Sequence, residues 1–565
     1  MKAKKIVVVG GVAGGASFAA RMRRLDEQAQ IILLEKGPYI SFANCGLPYY
    51  VGGVIQDRNA LLVQSNERMQ NVFNIDVRPL NEVTSLDANN KTVTVKNLKT
   101  GETYRESYDY LVLSPGAQPI KPPIPGIENA PVFTVRNLLD ADAIKNYMAT
   151  KPVKRAVVVG GGYIGLEMAD NLHKLGLELS LIEKAPQLIG TMDYDLAAIV
   201  AGHIVSKGID LYLGDGVVEF KQQDQATRVV LESGKTIDTD LVILSIGVRP
   251  DVGFLQDSGL EFGQRGGIKV NEKMQTNLPH VYALGDATEI TDLNTGTQTL
   301  IPLAGPANKQ GRIVADNIAG LDKTYKGTQG TAIAKVFDLT VATTGSNERT
   351  LQAQGISYKT ALTQPNSHAT YYPEARMMTV KTHFSPEGKI LGAQIVGYEG
   401  VDKSIDLLAT ALRLGMTVYD LQDLEHAYAP PYNSAKDPVN MVGFVAENIL
   451  AGRMETVSWA EIEKTDAFLL DVREKEEVER GMIAGSYHIP LAELRPRLSE
   501  LPKDQDIIVV CRVGQRAYVA ASTLRQLGYN AKVLAGGYKF YRDVTKALKT
   551  INRQLTGKQK RCVLT

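Results

Sequence analysis

The chain has 565 residues, 44% apolar and 22% charged, with 63 Lys and Arg against 62 Asp and Glu. At roughly 150 residues per domain the length allows about four domains. A net charge of +1 gives no support to a general nucleic-acid or anionic-membrane binder. No apolar run reaches the roughly 20 residues of a membrane span. Three cysteines, Cys45, Cys511 and Cys562, with no CxxC pair, form neither a disulfide framework nor a zinc site. No metal is expected, and a reducing cytoplasm is the simplest compartment.

The first element is a buried strand, Lys5-Ile6-Val7-Val8-Val9. Gly10 and Gly11 cut its apolar run too short for a signal peptide. The turn Gly10-Gly11-Val12-Ala13-Gly14-Gly15 leads into a helix of small residues bearing Arg21, Arg23 and Arg24. A second strand then ends at Glu35, 25 positions after Gly10. Strand, glycine turn, helix and strand-end acid make a dinucleotide-binding unit: glycines admit a pyrophosphate to the backbone, and the acid accepts from ribose hydroxyls. The middle glycine of GxGxxG is Val12 here. Next come Ser41-Phe42-Ala43-Asn44-Cys45-Gly46-Leu47-Pro48-Tyr49-Tyr50 and a strand-to-turn segment with Ser114 and Gly116. A second unit follows Ala156-Val157-Val158-Val159. It has a complete GxGxxG at Gly160, Gly162 and Gly165 and a strand-end acid, Glu183, 23 positions after Gly160. Glu183 favours NADH, because a carboxylate repels the 2′-phosphate of NADPH. Lys184 beside it keeps NADPH as the alternative.

With Gly247-Val248-Arg249-Pro250 and Leu284-Gly285-Asp286, these segments resemble the two-dinucleotide-binding flavoprotein disulfide reductase superfamily over roughly residues 1–450. The resemblance implies FAD at Gly10, Gly14, Gly15, Glu35, Ser114, Gly116 and Asp286, with Asp286 on the ribityl chain. It implies NAD at Gly160, Gly162, Gly165 and Glu183. Glutathione-reductase-like members of that superfamily carry two cysteines with four residues between them; the positions five before and five after Cys45 are Ile40 and Tyr50, so that internal redox disulfide cannot form. Cys45 must cycle through a mixed disulfide or a sulfenic acid.

SFxxCGxPY resembles the single-cysteine branch: coenzyme A disulfide reductases, NADH oxidases and NADH peroxidases. Peroxidases and many oxidases carry a histidine in the first glycine turn, where this chain has Ala13. The turn is similar to that of coenzyme A disulfide reductases. That resemblance implies two tyrosines from the partner of a homodimer beside the reactive cysteine, carried onto Tyr371 of Tyr371-Tyr372-Pro373-Glu374 and Tyr428 of Tyr428-Ala429-Pro430-Pro431. The family's YYPG is YYPE here, which leaves Tyr372 open as the alternative to Tyr371. Arg21, Ser41 and Asn44 are candidates for coenzyme A, with Lys309 as a further one. The arginines of the first helix have the bland alternative of a solvated face.

Residues 326–450 alternate strands and helices, as in the superfamily's dimerisation domain. From Trp459 a separate α/β unit begins. Asp471-Val472-Arg473, the Gly485-to-Pro490 step and Cys511-Arg512-Val513-Gly514-Gln515-Arg516 resemble a rhodanese domain. A cysteine between a strand and a helix start is stabilised as thiolate or persulfide by backbone N–H groups and the helix dipole. Arg512 and Arg516 add charge, and Gly514 shapes the loop. Cys562 has no such setting and reads as a bystander.

The expected fold class is α/β: two Rossmann-like dinucleotide-binding domains, an α+β dimerisation domain and a C-terminal rhodanese-like α/β domain. The expected boundaries are 1–150 with 246–325 for FAD, 151–245 for NAD(P)H, 326–450 for dimerisation and 456–550 for rhodanese. The expected function is FAD-dependent NAD(P)H reduction of coenzyme A persulfide, polysulfide or disulfide at Cys45, with Cys511 as sulfane-sulfur carrier and hydrosulfide as product. The alternatives are an NADH oxidase or peroxidase using Cys45 sulfenic acid, and a reductase regulated by a non-catalytic sulfur-sensing rhodanese module. Small-molecule sulfur substrates are expected, without nucleic acid or membrane.

Overall fold

Runs of valine, isoleucine and leucine in strands buried on both faces are the signature of parallel sheets covered by helices. The computed structural model describes residues 3–223 and 226–561, with side chains through residue 552. Cys562 lies outside the described residues. The chain divides into two units, Met1–Lys184 with Asp215–Gly330, and Ala185–Gly214 with Thr331–Thr565.

In the first unit, five parallel strands stand in the order Val281–Ala283, Tyr110–Leu113, Lys5–Val9, Gln30–Glu35 and Asp76–Pro79. Val7 and Val8 at the centre are fully buried. A three-stranded antiparallel sheet follows, from Asn81–Asp87, Thr92–Asn97 and Thr103–Ser107. Helix Ala13–Leu25 packs along Ala304–Ile318. Their approach is so close that a Cβ at Gly311 would come within 2.5 Å of the Gly14 carbonyl oxygen. The second glycine unit repeats the plan, with Arg155–Val159 between Glu178–Glu183 and Leu241–Leu244. Both strand carboxyl ends therefore present a glycine turn and an acid, where open α/β sheets bind ligands.

In the second unit, an antiparallel sheet runs Ala332–Val336, Leu339–Gly345, Ile390–Gly397, Thr379–Phe384 and Lys359–Thr363. The strand Thr379–Phe384 is preceded by Met377, which meets Asn366 only in an isolated bridge. A buried ammonium, Lys381 Nζ, lies 2.9 Å from Asp195, 3.1 Å from Asp193 and 3.1 Å from Glu348. His383 adds a 2.8 Å contact to Asp193. The network ties the segment Ala185–Gly214 to this sheet.

The C-terminal sheet is wholly parallel, in the order Thr456–Val457, Ala531–Leu534, Ile507–Val510, Phe468–Asp471 and Tyr487–His488. The last helix, Gly537–Arg561, lies against Tyr194–Ser206. Gly202 makes room there: a Cβ on it would come within 2.6 Å of the Ala547 Cβ.

Candidate functional site

The first glycine turn is dictated by collisions that only glycine avoids. Gly10 has φ of +93°, and a Cβ there would sit 2.1 Å from the Ser114 carbonyl oxygen. A Cβ on Gly15 would sit 1.9 Å from the Gly10 oxygen, and one on Gly14 2.2 Å from Leu284. Glu35 closes the turn, accepting from Gly11 N at 2.8 Å and Gly37 N at 2.7 Å. Burial raises its pKa, and those two N–H groups oppose the shift. Gly116 turns with φ of +73° beside Arg136. The half-buried Asp286 carboxylate has no hydrogen-bond partner among the described residues. Burial raises its pKa, with Arg136 opposing. A half-buried acceptor without protein donors fits a ligand carrying hydroxyl groups, so these residues fit FAD.

The second turn repeats the geometry. Gly160 has φ of +111°, and a Cβ on Gly165 would sit 1.9 Å from its oxygen. A Cβ on Gly162 would meet nothing within 4 Å, which leaves its backbone open to a pyrophosphate. Glu183 accepts from Gly161 N at 2.7 Å. Lys184 is drawn off to Glu232, 2.8 Å away.

Cys45 sits on the short turn Asn44–Gly46, directly before helix Leu47–Val51, and is exposed. The loop is pinned to the first glycine turn by Ser41, whose N–H donates to the Gly11 oxygen at 2.8 Å. Ser41 holds φ of +45° to do so. Asn44, with its amide nitrogen on the Phe42 oxygen at 3.1 Å, accepts from Arg136 Nη1 at 2.5 Å. Although the residue reaches solvent, the protein packed around its sulfur pushes the thiol up, and the Glu167 and Asp286 carboxylates push it further. Glu167 has its own pKa raised by burial and accepts from the Tyr49 hydroxyl at 3.1 Å. The SFxxCGxPY motif ends on Tyr49, but sequence motifs gave no sign of Glu167 or Arg136 beside Cys45. Only the meeting of helices Leu47–Val51 and Tyr163–Lys174 brings Tyr49 and Glu167 together.

The basic face of the first helix needs correction. Arg23 is 6% exposed, and its guanidinium donates to five backbone oxygens, those of Phe73, Asp26, Glu27, Ala29 and Asn74. It braces the fold. Arg21 pairs with Asp316 at 2.8 Å, leaving Arg24 and Lys309 exposed.

Tyr371 and Tyr428 are 73% and 47% exposed, and their hydroxyls hydrogen-bond to each other. That bond raises the Tyr371 pKa. Tyr372 instead meets His368 edge-on, 5.7 Å between ring centroids. Glu374 takes φ of +69°, the left-handed region that favours glycine. The chain thus keeps a YYPG-type turn with glutamate in place of glycine.

Cys511 is 1% exposed, between strand Ile507–Val510 and helix Gln515–Gln526. Gly514, with φ of +105°, donates its N–H to the Cys511 sulfur at 3.1 Å. Arg512 is exposed. Arg516, which adds charge to the loop, is gripped by Glu477 at 2.6 and 2.8 Å. Beneath the loop, the buried Arg473 pairs with Asp471 at 2.6 Å and stacks on Tyr538, 4.0 Å from the ring centroid. Both members of that pair stand in the Asp471-Val472-Arg473 signature, whereas Glu477 and Tyr538 carried no signal.

Comparison with known proteins agrees with this architecture. Residues 4–311 match the pyridine nucleotide-disulphide oxidoreductase family. Residues 331–437 match its dimerisation domain and 456–543 the rhodanese-like domain. A coenzyme A disulfide reductase of Staphylococcus aureus is 37% identical over 445 residues, 78% of this chain and 100% of the relative. The reduced CoADR-RHD of Bacillus anthracis superposes with a TM-score of 0.94 at 53% identity, covering 96% of this chain and 98% of that one. A NAD-dependent persulfide reductase from A. fulgidus gives 0.90 at 38% identity, covering 95% and 99%. The chain belongs to the pyridine nucleotide-disulphide oxidoreductase family, as a fusion of a coenzyme A disulfide reductase-like module with a rhodanese-like domain.

Proposed function

We propose that the protein reduces coenzyme A persulfide, polysulfide or disulfide at Cys45 and that Cys511 carries the sulfane sulfur. The observation that carries this reading is the pairing in one chain of two unlike thiols. One is exposed beside a dinucleotide cradle; the other is buried against a backbone N–H. When bound, FAD and NADH supply a two-electron path to Cys45. Gly10, Gly14, Gly15, Glu35, Ser114, Gly116 and Asp286 hold the first; Gly160, Gly162, Gly165 and Glu183 hold the second. Glu183 repels a 2′-phosphate, and Lys184, engaged by Glu232, does not offset that repulsion.

The Cys45 thiolate attacks the coenzyme-bearing sulfur of the persulfide. The S–S bond breaks, its electron pair leaves with hydrosulfide, and a Cys45–coenzyme A disulfide remains. Two electrons then return Cys45 and coenzyme A to thiols. Ser41, Asn44 and Arg21 lie on the elements around this loop and contact the coenzyme. The partner subunit's Tyr371 and the partner subunit's Tyr428 give a proton to the departing coenzyme thiolate; a hydroxyl pair sharing one hydrogen bond can donate and be refilled. The assembly is a homodimer, and free thiols of this kind suit a reducing cytoplasm.

Anaerobic NADH oxidation tests the reading. Coenzyme A persulfide should release hydrosulfide in step with NADH, and Cys45→Ser should abolish it. Turnover of the disulfide alone would make the enzyme a keeper of reduced coenzyme A. NADH consumption that starts only when oxygen is admitted would overturn the proposal in favour of an oxidase.

A further inference from the structure

A cleft of about 470 Å³ opens on the rhodanese-like domain, between residues 482–484 and the last helix. Tyr538, Tyr541, Arg542, Thr545, Lys546 and Lys549 line it from the helix side. Residues 542, 546 and 549 are spaced to share one helix face. Phe540, Val544, Ala547 and Ile551 are buried on the other. Arg542 shares its charge with Asp543. Neither Lys546 nor Lys549 has an ion-pair partner among the described residues. From Lys539 to Arg561 the sequence carries eight cations and a single acid, Asp543.

The cleft begins next to the sulfur loop. Tyr538 N donates to the Cys511 carbonyl oxygen at 2.7 Å, and a Cβ on Gly537 would sit 2.5 Å from that oxygen. From Tyr538 to Lys549 the helix rises roughly 16 Å, a span that an extended pantetheine arm covers. Phenol rings at one end and ammonium groups at the other suit a ligand with an aromatic base and phosphates. The volume falls in the range of about 300–1,000 Å³ usual for small-molecule sites. Thr545, Lys546 and Lys549 lie beyond residue 543, where the rhodanese match ends.

We infer that this cleft binds the phosphorylated adenosine end of coenzyme A and presents the coenzyme's thiol to the Cys511 persulfide. The inference rests on the reading of Cys511 as a sulfur carrier. The transfer is balanced without an added oxidant. The coenzyme thiolate attacks the terminal sulfane sulfur, the S–S bond to Cys511 breaks, and its electron pair returns to Cys511. Coenzyme A persulfide leaves for Cys45.

The test uses the flavin-loaded enzyme and its K546E/K549E variant. By calorimetry, adenosine 3′,5′-bisphosphate should bind the variant about tenfold more weakly, the loss of one to two charge-assisted contacts. Equal binding, or pyrophosphate binding as tightly as the nucleotide, would overturn the assignment. In the second arm, Cys511 is charged with sulfane sulfur and discharged to coenzyme A, pantetheine or cyanide. Only transfer to coenzyme A should slow in the variant. A uniform loss, or none, would overturn the cleft. If wild-type Cys511 takes up no sulfur, the carrier reading fails, and calorimetry still decides the cleft. Coenzyme A disulfide reduction at Cys45 reports that the variant is folded.

Discussion

Cys45 and Cys511 both stand just before a helix, yet their surroundings are opposite. Cys45 is exposed on a short turn, with Glu167 and Asp286 disfavouring its thiolate. Cys511 is enclosed, and its sulfur accepts from Gly514 N. An open thiol facing carboxylates needs a bound cofactor to sustain an anion. The enclosed thiol instead has a donor built into its own loop, the Gly514 N–H. One suits exchange with an incoming disulfide and the other suits holding a charged sulfur atom.

The comparison breaks most sharply by deleting each thiol. Cys45→Ser should lower NADH-linked reduction by about a thousandfold or more, while sulfur transfer from Cys511 to cyanide stays intact. Cys511→Ser should do the reverse. Loss of both activities from either change would mean the two thiols act as one site. Next in size, Arg473→Ala leaves the fully buried Asp471 carboxylate unpaired beneath the Cys511 loop. That should cost about 3–5 kcal/mol in denaturant unfolding. Little change there would mean that the Cys511 loop does not depend on its buried support.

Glu183→Ala should cut the preference for NADH over NADPH by about tenfold, read as a ratio of kcat/KM values. The smallest effect concerns the Cys45 environment itself. Glu167→Gln removes a negative charge facing the thiolate, so the thiol pKa should fall. More thiolate at a given pH means faster alkylation, by about two- to fivefold at pH 8 in flavin-free protein. An unchanged rate would remove Glu167 from the electrostatics of Cys45.

What was legible in the sequence follows a physical rule. Gly10, Gly15, Gly160 and Gly165 are forced by collisions with backbone a few residues or one strand away, so their spacing carries the message. Cys511 and Gly514 likewise belong to one short loop. Tyr49 and Glu167 lie 118 residues apart in the chain, and Asn44 and Arg136 come from different turns as well. No local pattern encodes such meetings. Arg23 shows the opposite hazard: on a helical wheel it resembles its exposed neighbour Arg24, but the carbonyls of Phe73 and Asn74 reach it from another element. Glu374 departs from the family's turn in sequence, and the backbone takes the glycine conformation regardless.

The contact between Gly202 and Ala547 has a consequence for how the chain comes apart. Helix Tyr194–Ser206 precedes the dimerisation-type sheet in sequence, and the last helix follows everything else. Their close packing, with the Lys381 network behind it, closes a loop through the whole second unit. A rhodanese-like domain appended through a linker alone would melt by itself. Here heat or denaturant should meet one cooperative transition across Ala185–Gly214 and Thr331–Thr565, so that loosening the sulfur carrier also loosens the scaffold that bears Tyr371 and Tyr428.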